Sequence, residues 1–393
     1  MRTALVHAHL VPGDGGPEVP DATVLIEDGA IVDVGAGIEP QGAEIVDATG
    51  LTAIPGLVDG HQHVWQAGLR GAGADLSITG YRDTVLPRLA AFTPEDLHAA
   101  TLLGAAESLN AGITTIFDWR HGALAPEHTE AAADALAAVG VRTLIGTPEV
   151  SGPDQALAIM GPEIDDYDRA VRDIERGRSL GVLISFHAQG ACVARLHADG
   201  LLGPDLNIAH LNAMSEPDAV WLAEAGVGVT MAPTCEAAIR AAAAPYARFA
   251  AAGGRPGLST DTAINGPAGL FEPLRALLWS ERVRTGEIVP AASFLPSVTV
   301  DSARAIGLAD RIGTLTVGKR ADVLLIDGFA HLTGDRAGAV VTSAGVENVR
   351  HVLVDGRVVK RDGRLVGLDL AALRGSAQRI GRPPVTAMRA PEM

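Results

Sequence analysis

The chain has 393 residues, 47% of them hydrophobic and only 4% aromatic, so it can bury a large core of small aliphatic side chains. Its 47 acidic and 31 basic residues give a formal net charge of −16, which argues against nucleic acid or an anionic membrane as a partner. Cys192 and Cys235 are the only cysteines, so we expect no disulfide bonds. The first residues lack the apolar core of a signal peptide, and no apolar run reaches the roughly 18 residues of a membrane-spanning helix. We therefore expect a cytoplasmic protein without membrane segments.

The first fifty residues are predicted to form short β-strands joined by tight turns. Apolar and polar residues alternate in TALVHA, TVLIEDGAIVDVG and AEIVDATG, which is the pattern of half-buried strands. Asp28-Gly29 interrupts the second of these segments and is a typical hairpin turn. Residues 1–53 therefore supply one part of a β domain.

The centre of the chain, residues 54–310, changes to apolar strand-like segments that alternate with helical ones. Eight such strands with helical connections predict an α/β fold, the (β/α)8 TIM barrel. Only seven residues, PEVSGPD, separate the third and fourth strands, which is too short for a helical crossover. Either the third helix is absent or one of those two strands is wrongly assigned. The predicted strands are 57–63, 113–118, 141–147, 155–160, 182–187, 206–210, 227–231 and 256–260.

The β pattern of the first fifty residues returns near the end of the chain. It is found in GTLTVGKRADVLLID and in VRHVLVDGRVVKRDG, where Asp355-Gly356 is a second hairpin turn. We therefore expect a small composite β-sandwich domain built from both chain termini. Its two parts are residues 1–53 and 311–366, followed by a C-terminal helix and tail over residues 367–393.

Histidines and one aspartate stand at the predicted carboxyl ends of the central strands. His61 and His63 share one face of the first strand, because side chains alternate along a strand. His187, His210 and Asp261 end the fifth, sixth and eighth strands. Functional groups of a TIM barrel collect at this end, so the five side chains are expected at one mouth, suited to Zn²⁺ or Fe²⁺ with a position left for water. Each residue alone has an ordinary alternative, a core histidine or a helix N-cap, and it is their joint placement that favours a metal site.

The motifs around these residues resemble those of the amidohydrolase superfamily, in particular cytosine deaminases and the atrazine/melamine-type chlorohydrolases and deaminases. The resemblance runs nearly end to end and is carried by IPGLVDGHQH, AGITTIFD, IAHLNAMSEPDAVWLAEAGVGVTMAPT, GLSTD and IGTLTVGKRADVLLID. It implies one divalent ion held by His61, His63, His187 and Asp261, with His210 hydrogen-bonded to the bound water or substrate. It also implies that Asp261 takes the proton of a metal-activated water that attacks an sp² carbon bearing an amino or similar leaving group.

Two positions depart from the pattern of that family. Its members carry a glutamate three residues after the third histidine as a proton shuttle, and here that residue is Gly190. Where relatives have P-x-x-N, this chain reads PTCE and carries Glu236. We predict that Glu236 replaces the missing acid; the alternative is a rim residue paired with Arg240, one helical turn later.

Four further residues are predicted to contact the substrate: Trp65, Gln66, His121 and Glu163. For Trp65, a packing position behind the metal site is an equal alternative. Asp118, next to His121 in the segment FDWRH, is expected to be a structural hydrogen-bond acceptor instead.

Together these features predict a deaminase-like, metal-dependent hydrolase that acts on a carbon–nitrogen bond of a small cyclic or amide-like substrate. Two alternatives remain open. The same metal site could serve a lyase, isomerase or cyclase of specialised metabolism, for which the missing shuttle would be no loss, or the chain could be a non-catalytic binding protein. The sequence does not specify the substrate or choose between zinc and iron. It also leaves open a homo-oligomer, which the resemblance allows because relatives are commonly oligomers.

Overall fold

The computed structural model describes residues 2–40, 42–121, 125–378 and 380. Within these residues the strands form two sheets, one of nine strands and one of eight. The first five strands are β1 (Arg2–Leu10), β2 (Val19–Glu27), β3 (Ala30–Ala36), β4 (Glu44–Asp47) and β5 (Thr52–Pro55). The next eight are β6 (Leu57–Gln62), β7 (Ile113–Trp119), β8 (Arg142–Thr147), β9 (Gln155–Ala158), β10 (Ile184–Ala188), β11 (Leu206–His210), β12 (Gly228–Met231) and β13 (Gly257–Leu258). The last four are β14 (Val323–Ile326), β15 (Val349–Val354), β16 (Arg357–Arg361) and β17 (Arg364–Leu365).

The helices lie mainly between the central strands. Those before β9 are α1 (Ile78–Thr84), α2 (Leu86–Leu89), α3 (Pro94–Asn110) and α4 (Pro126–Val139). Those after β9 are α5 (Tyr167–Leu180), α6 (Val193–Ala198), α7 (Glu216–Glu224), α8 (Pro233–Arg240), α9 (Tyr246–Ala251), α10 (Phe271–Thr285), α11 (Val300–Ala305), α12 (Arg336–Ser343) and α13 (Leu370–Ala377). Short 3₁₀ helices cover Val64–Leu69, Ala291–Val298 and Val346–Asn348. Among the described helices, none is both long and apolar enough to cross a bilayer.

The nine-stranded sheet combines both ends of the chain. Its order is β17-β16-β15-β14-β5-β1-β2-β3, with β4 paired to β1. The two parts join where β14 runs antiparallel to β5, with Leu324 opposite Ile54. Both predicted hairpin turns are present, with positive φ at each Asp and Gly, as the tight turns of twisted hairpins require. The predicted composite β domain built from both termini is confirmed.

The eight-stranded sheet is parallel and runs in sequence order from β6 to β13, so the predicted α/β barrel and all eight of its strands are confirmed. Between β8 and β9 no helix lies among the residues that the structure describes, so the short connection marks an absent helix and not a wrong strand. Ile145 near the end of β8 pairs with Gln155 at the start of β9. The first residue of β9 thus pairs near the carboxyl end of β8. The connecting loop therefore does not have to run back to the amino end of β8, and seven residues are enough.

The barrel closes between its first and last strands, directly at the histidine pair. The Asp261 amide donates to the His61 carbonyl at 3.1 Å, and the His63 amide donates to the Asp261 carbonyl at 2.8 Å. Below this closure Asp59 accepts hydrogen bonds from the hydroxyl and amide of Thr260. Backbone pairing therefore fixes Asp261 beside the two histidines before any metal is considered.

Charged side chains connect the terminal sheet and the C-terminal helix to the barrel. Arg142 on β8 contacts Asp322 at 2.9 Å and Asp355 at 2.8 Å. Arg374 on α13 contacts Glu107 of α3 at 2.9 Å. The tail predicted after this helix lies, from residue 381 onward, outside the described residues. The exact domain limits given from the sequence stay predictions.

Candidate metal centre and active site

The predicted metal ligands converge at the carboxyl end of the barrel. His61 lies in β6 with His63 just after it, His187 lies in β10, His210 ends β11, and Asp261 follows β13. One ring nitrogen from each of His61, His63 and His187 lies within 4.8 Å of the other two. The Oδ1 atom of Asp261 is 3.3 Å from Nε2 of His63 and 3.7 Å from Nε2 of His61. Three imidazoles and a carboxylate therefore surround one small volume.

The surroundings of His61 fit a bound cation. Its side chain is completely buried, and neither ring nitrogen has a hydrogen-bond partner among the described residues. Buried polar atoms without partners are rare because each costs about 1–3 kcal/mol. His63 places its Nδ1 at 2.7 Å from the Trp119 carbonyl, which holds a proton there and leaves Nε2 free. Nitrogen and carboxylate donors in this arrangement suit a divalent ion such as zinc or iron.

The electrostatics of the cluster keep these groups in the forms that bind metal. Burial lowers the pKa of His61 and of His187 well below the usual value, and neighbouring histidines lower it further. Burial also lowers the pKa of His63, although Asp261 opposes the change. For Asp261 itself burial acts to raise the pKa, but His210, His63 and Cys235 together bring it down to about 2. Neutral imidazoles and an ionised carboxylate are the forms that metal coordination needs at neutral pH.

His210 is paired with Glu236 behind the cavity. Nδ1 of His210 lies 3.3 Å from Oε1 of Glu236, which also accepts the Ala232 amide at 3.0 Å. Nε2 of His210 points the other way, 3.9 Å from Oδ2 of Asp261. Both His210 and Leu211 have positive φ, a strained backbone that is common at functional sites. This backbone turns the imidazole between the two carboxylates.

The position of Glu236 differs from both sequence interpretations. Its side chain is fully buried and does not line the cavity, so it offers a substrate no direct contact. Among the described residues no ion pair joins it to Arg240. The physical reason is that the carboxylate folds back to the amide at the start of its own helix, away from the residue one turn later. Among the described residues, Glu236 therefore hydrogen-bonds to the site through His210.

Cys235 is a further site residue, which no motif in the sequence indicated. Its thiol donates to Oδ2 of Asp261 at 2.8 Å. Burial, with the Asp261 charge, raises the pKa of this thiol well above its usual value, so the proton stays in place. The only signal in the sequence was its position beside Glu236. The thiol orients the carboxylate so that Oδ1 faces His61 and His63.

A cavity of about 350 Å³ opens beside the histidine cluster. It has a polar end at the metal-ligand candidates and an apolar wall from the helices and loops above the barrel. Tyr81, Arg82 and Thr262 were not predicted from the sequence, because α1 and the loop after β13 carry no recognisable motif. The lining residues are His63, Ile78, Tyr81, Arg82, Leu86, Trp119, His121, Met160, Ile164, His187, His210, Ile239, Arg240, Asp261 and Thr262.

Of the predicted substrate contacts, His121 alone lines the cavity. Its ring centroid is 3.8 Å from that of His63, and its Nδ1 accepts a hydrogen bond of 3.4 Å from Nε1 of Trp65. Trp65 is buried behind it, which is the packing position given as the alternative. Gln66 is also buried, accepting from Thr262 and donating to the Tyr81 hydroxyl. Trp65 and Gln66 therefore support the cavity wall from behind.

Glu163 lies in the loop after β9 but points away from the cavity. Its two carboxylate oxygens accept the backbone amides of Gln189, Gly190 and Cys192 at 2.6 to 3.0 Å. These bonds fix the loop that follows His187. Met160, from the same loop as Glu163, lines the cavity in its place.

Gly190, at the position of the family's shuttle glutamate, has a backbone conformation and close neighbours that disfavour any side chain. Its φ is +130°, a region that L residues rarely adopt. A Cβ there would lie 3.0 Å from the Met214 amide nitrogen and 3.1 Å from the Ala213 carbonyl carbon. The backbone conformation of this loop therefore favours glycine at position 190. The absence of a shuttle glutamate is accompanied by a backbone conformation that does not suit a glutamate.

Restoring the shuttle by Gly190→Glu is expected to destabilise the protein and not to improve catalysis. The strained φ alone is worth about 1–3 kcal/mol, which thermal or urea unfolding would detect. Gly190→Ala should account for most of the loss, because the clash begins at Cβ. Unchanged stability of Gly190→Glu, together with faster turnover, would contradict this reading of the loop.

The comparisons with known proteins agree with this geometry. The model of the Amidohydrolase family matches residues 193–359. A 5-methylthioadenosine/S-adenosylhomocysteine deaminase of Desulforudis audaxviator is 30% identical, covering 97% of this chain and 99% of that protein. The chain belongs to the amidohydrolase family. A 5′-deoxyadenosine deaminase of Methanosarcina mazei is 27% identical over 92% of this chain and 93% of its own length.

Solved structures agree on the fold of this amidohydrolase. A zinc-bound adenosine deaminase from Xanthomonas campestris superposes with a TM-score of 0.84 at 22% identity, covering 96% of this chain and 97% of its own. Atrazine chlorohydrolase TrzN from Arthrobacter aurescens, complexed with zinc, gives 0.87 at 20% identity, covering 97% and 100%. The family and the fold confirm the predicted class, a metal-dependent hydrolase acting on carbon–nitrogen bonds other than peptide bonds in small molecules.

Proposed function

We propose that this amidohydrolase displaces an amino group, or a similar leaving group, from an sp² carbon of a small nitrogen heterocycle. His61, His63, His187 and Asp261 would hold one Zn²⁺ or Fe²⁺. The observation that carries the proposal is His61, buried with two unpartnered ring nitrogens among other histidines. The names of the relatives, deaminases of adenosine derivatives, support an amino-substituted heterocycle as the substrate class.

The ionised carboxylate of Asp261 is the base in this proposal. When bound, a divalent ion would supply an acidified water, with a pKa of about 7. Asp261, whose Oδ1 atom is 3.3 Å from Nε2 of His63 and 3.7 Å from Nε2 of His61, would help to hold the ion and would accept a proton there. The Cys235 thiol occupies Oδ2 and prevents the carboxylate from rotating away.

His210 takes the place of the missing shuttle residue. Glu236 holds a proton at Nδ1 and leaves Nε2 to exchange a proton with the substrate in the cavity. Gly190 has no group that could do this, and its backbone conformation would strain any residue with a side chain. We therefore assign proton transfer to His210 and make Glu236 the residue that positions it.

Release of ammonia with incorporation of solvent oxygen tests the proposed reaction. Metal-loaded protein is incubated in H₂¹⁸O with amino-substituted purines, pyrimidines and triazines, beginning with 5′-deoxyadenosine and 5′-methylthioadenosine. We expect at least one compound to lose one ammonia and gain one ¹⁸O, and Asp261→Asn to slow this by about 10²–10⁴-fold. Conversion of a substrate without ammonia release or ¹⁸O would contradict hydrolysis and favour the lyase, isomerase or cyclase alternative.

A further inference from the structure

Two arginines line the catalytic cavity without an acidic partner. Arg82 comes from α1, and Arg240 is the last residue of α8. Neither forms an ion pair with any residue that the structure describes. The protein has 47 acidic residues against 31 basic ones, so a partner for each arginine would be easy to supply. Two guanidinium groups without an acidic partner among the described residues therefore adjoin one cavity, Arg82 exposed and Arg240 partly buried.

Arg240 is the more deeply placed of the two. Its Nε atom is buried and has no hydrogen-bond partner within the described part of the chain. Its side chain lines the same cavity as Tyr81 and Asp261.

The two arginines belong to one wall of the cavity. Ile78 of α1 packs against the apolar cluster formed by Ala232, Cys235 and Ile239. Arg82 follows Ile78 by one helical turn, and Arg240 follows Ile239 directly, so both charges adjoin the same apolar surface. That surface suits the carbon skeleton of a ring, with a charged group at its edge.

The two carboxylates of the site contact other described groups and form no ion pair with Arg240. Asp261 faces the histidine cluster and the Cys235 thiol, and Oε1 of Glu236 contacts His210 and the Ala232 amide, while Oε2 of Glu236 is buried without a hydrogen-bond partner. A guanidinium group whose buried nitrogen lacks a partner carries a desolvation cost that an anion in the cavity would remove. Arginine suits this role because its planar fork binds carboxylate and phosphate groups in a bidentate way.

We infer that Arg240, assisted by Arg82, binds an anionic substituent, a carboxylate or a phosphate, on the substrate of this enzyme. The inference rests on the proposed function, since it specifies the substrate class of the same cavity. The volume of about 350 Å³ is near the lower end for ligand sites, so the substrate is a small ring compound with a short acidic arm.

Calorimetric titration of the metal-loaded enzyme with benzoate, phenyl phosphate and benzamide tests the inference. Benzamide has nearly the shape of benzoate without its charge. We expect the better of the two anions to bind at least about tenfold more tightly than benzamide, and its identity separates carboxylate from phosphate. Arg240→Gln should abolish most of that preference and Arg240→Lys should keep part of it. Arg88→Gln, on α2 and outside the cavity, should keep it all.

Equal binding of the anions and benzamide would overturn the inference. So would an anion preference that survives in both Arg240→Gln and Arg82→Gln, because the anion would then be held by the metal alone. These results are independent of ammonia release. If the enzyme hydrolyses neutral heterocycles and shows no preference for anions, this inference is wrong but the proposed reaction stands. If anions bind in an arginine-dependent way but no amine is hydrolysed, the proposed reaction is wrong but this inference stands.

Discussion

Replacing His61 by alanine should remove the divalent ion from the protein and nearly abolish turnover. His61 offers ring nitrogens that no described protein group uses, and it lies between His63 and His187. Without it the site keeps two imidazoles and one carboxylate, so it loses one of the four protein donors around which its geometry is built. Metal catalysis contributes several kcal/mol, so we expect a loss of at least about 10³-fold.

Metal analysis of dialysed proteins, with circular dichroism to verify folding, measures this effect. His331→Ala is the matched control, because His331 is exposed and does not line the cavity. The control should keep its metal and its activity. A His61→Ala protein that retains a full equivalent of metal would show that the ligand set is wrong.

The second large effect is expected at His210, with a smaller one at Glu236. Loss of the cavity-facing imidazole in His210→Asn should lower kcat by about 10²–10⁴-fold, the usual contribution of general acid–base catalysis. Glu236→Gln keeps the shape of the positioning residue and should cost about 10–100-fold. Metal content should be unchanged in both, since neither residue is among the three clustered histidines or Asp261.

Steady-state kinetics on the best substrate separate these roles, with Glu224→Gln on the exposed end of α7 as a control. If Glu236→Gln is as damaging as His210→Asn, Glu236 holds the transferred proton itself, as the sequence suggested. If His210→Asn turns over at nearly the normal rate, the proton passes through another cavity residue, and His121 is the next one to replace.

The barrel and the histidine cluster could be predicted because their signals are local. Strand alternation places His61 and His63 on one face, and each of the remaining ligand candidates directly ends or follows a recognisable apolar strand. The Asp-Gly hairpins are equally local, since the turn requires positive φ at both residues. Because the strands are parallel, their carboxyl ends lie at the same end of the barrel, so the convergence of these side chains could be predicted from the strands alone.

The rest of the site depends on how helices pack over the barrel. Tyr81, Arg82 and Arg240 lie on α1 and α8 and line the cavity. These helices meet where Ile78 packs against the cluster of Ala232, Cys235 and Ile239. No spacing rule in the sequence encodes such a contact. Glu236 shows the same limit, because the i, i+4 rule pairs it with Arg240 while the structure pairs it with His210.

The central claim is that the protein hydrolyses its substrate at a site that holds one divalent metal ion. It is tested most directly by measuring the metal content and the ammonia release of the wild-type protein before and after treatment with a chelator. We predict about one zinc or iron per chain, loss of ammonia release when the ion is removed, and full recovery when one equivalent is added back. Metal at a free concentration of 100 times Kd should also raise the free energy of unfolding by about 2.7 kcal/mol. Full activity in chelated protein that contains no metal would contradict the proposed chemistry.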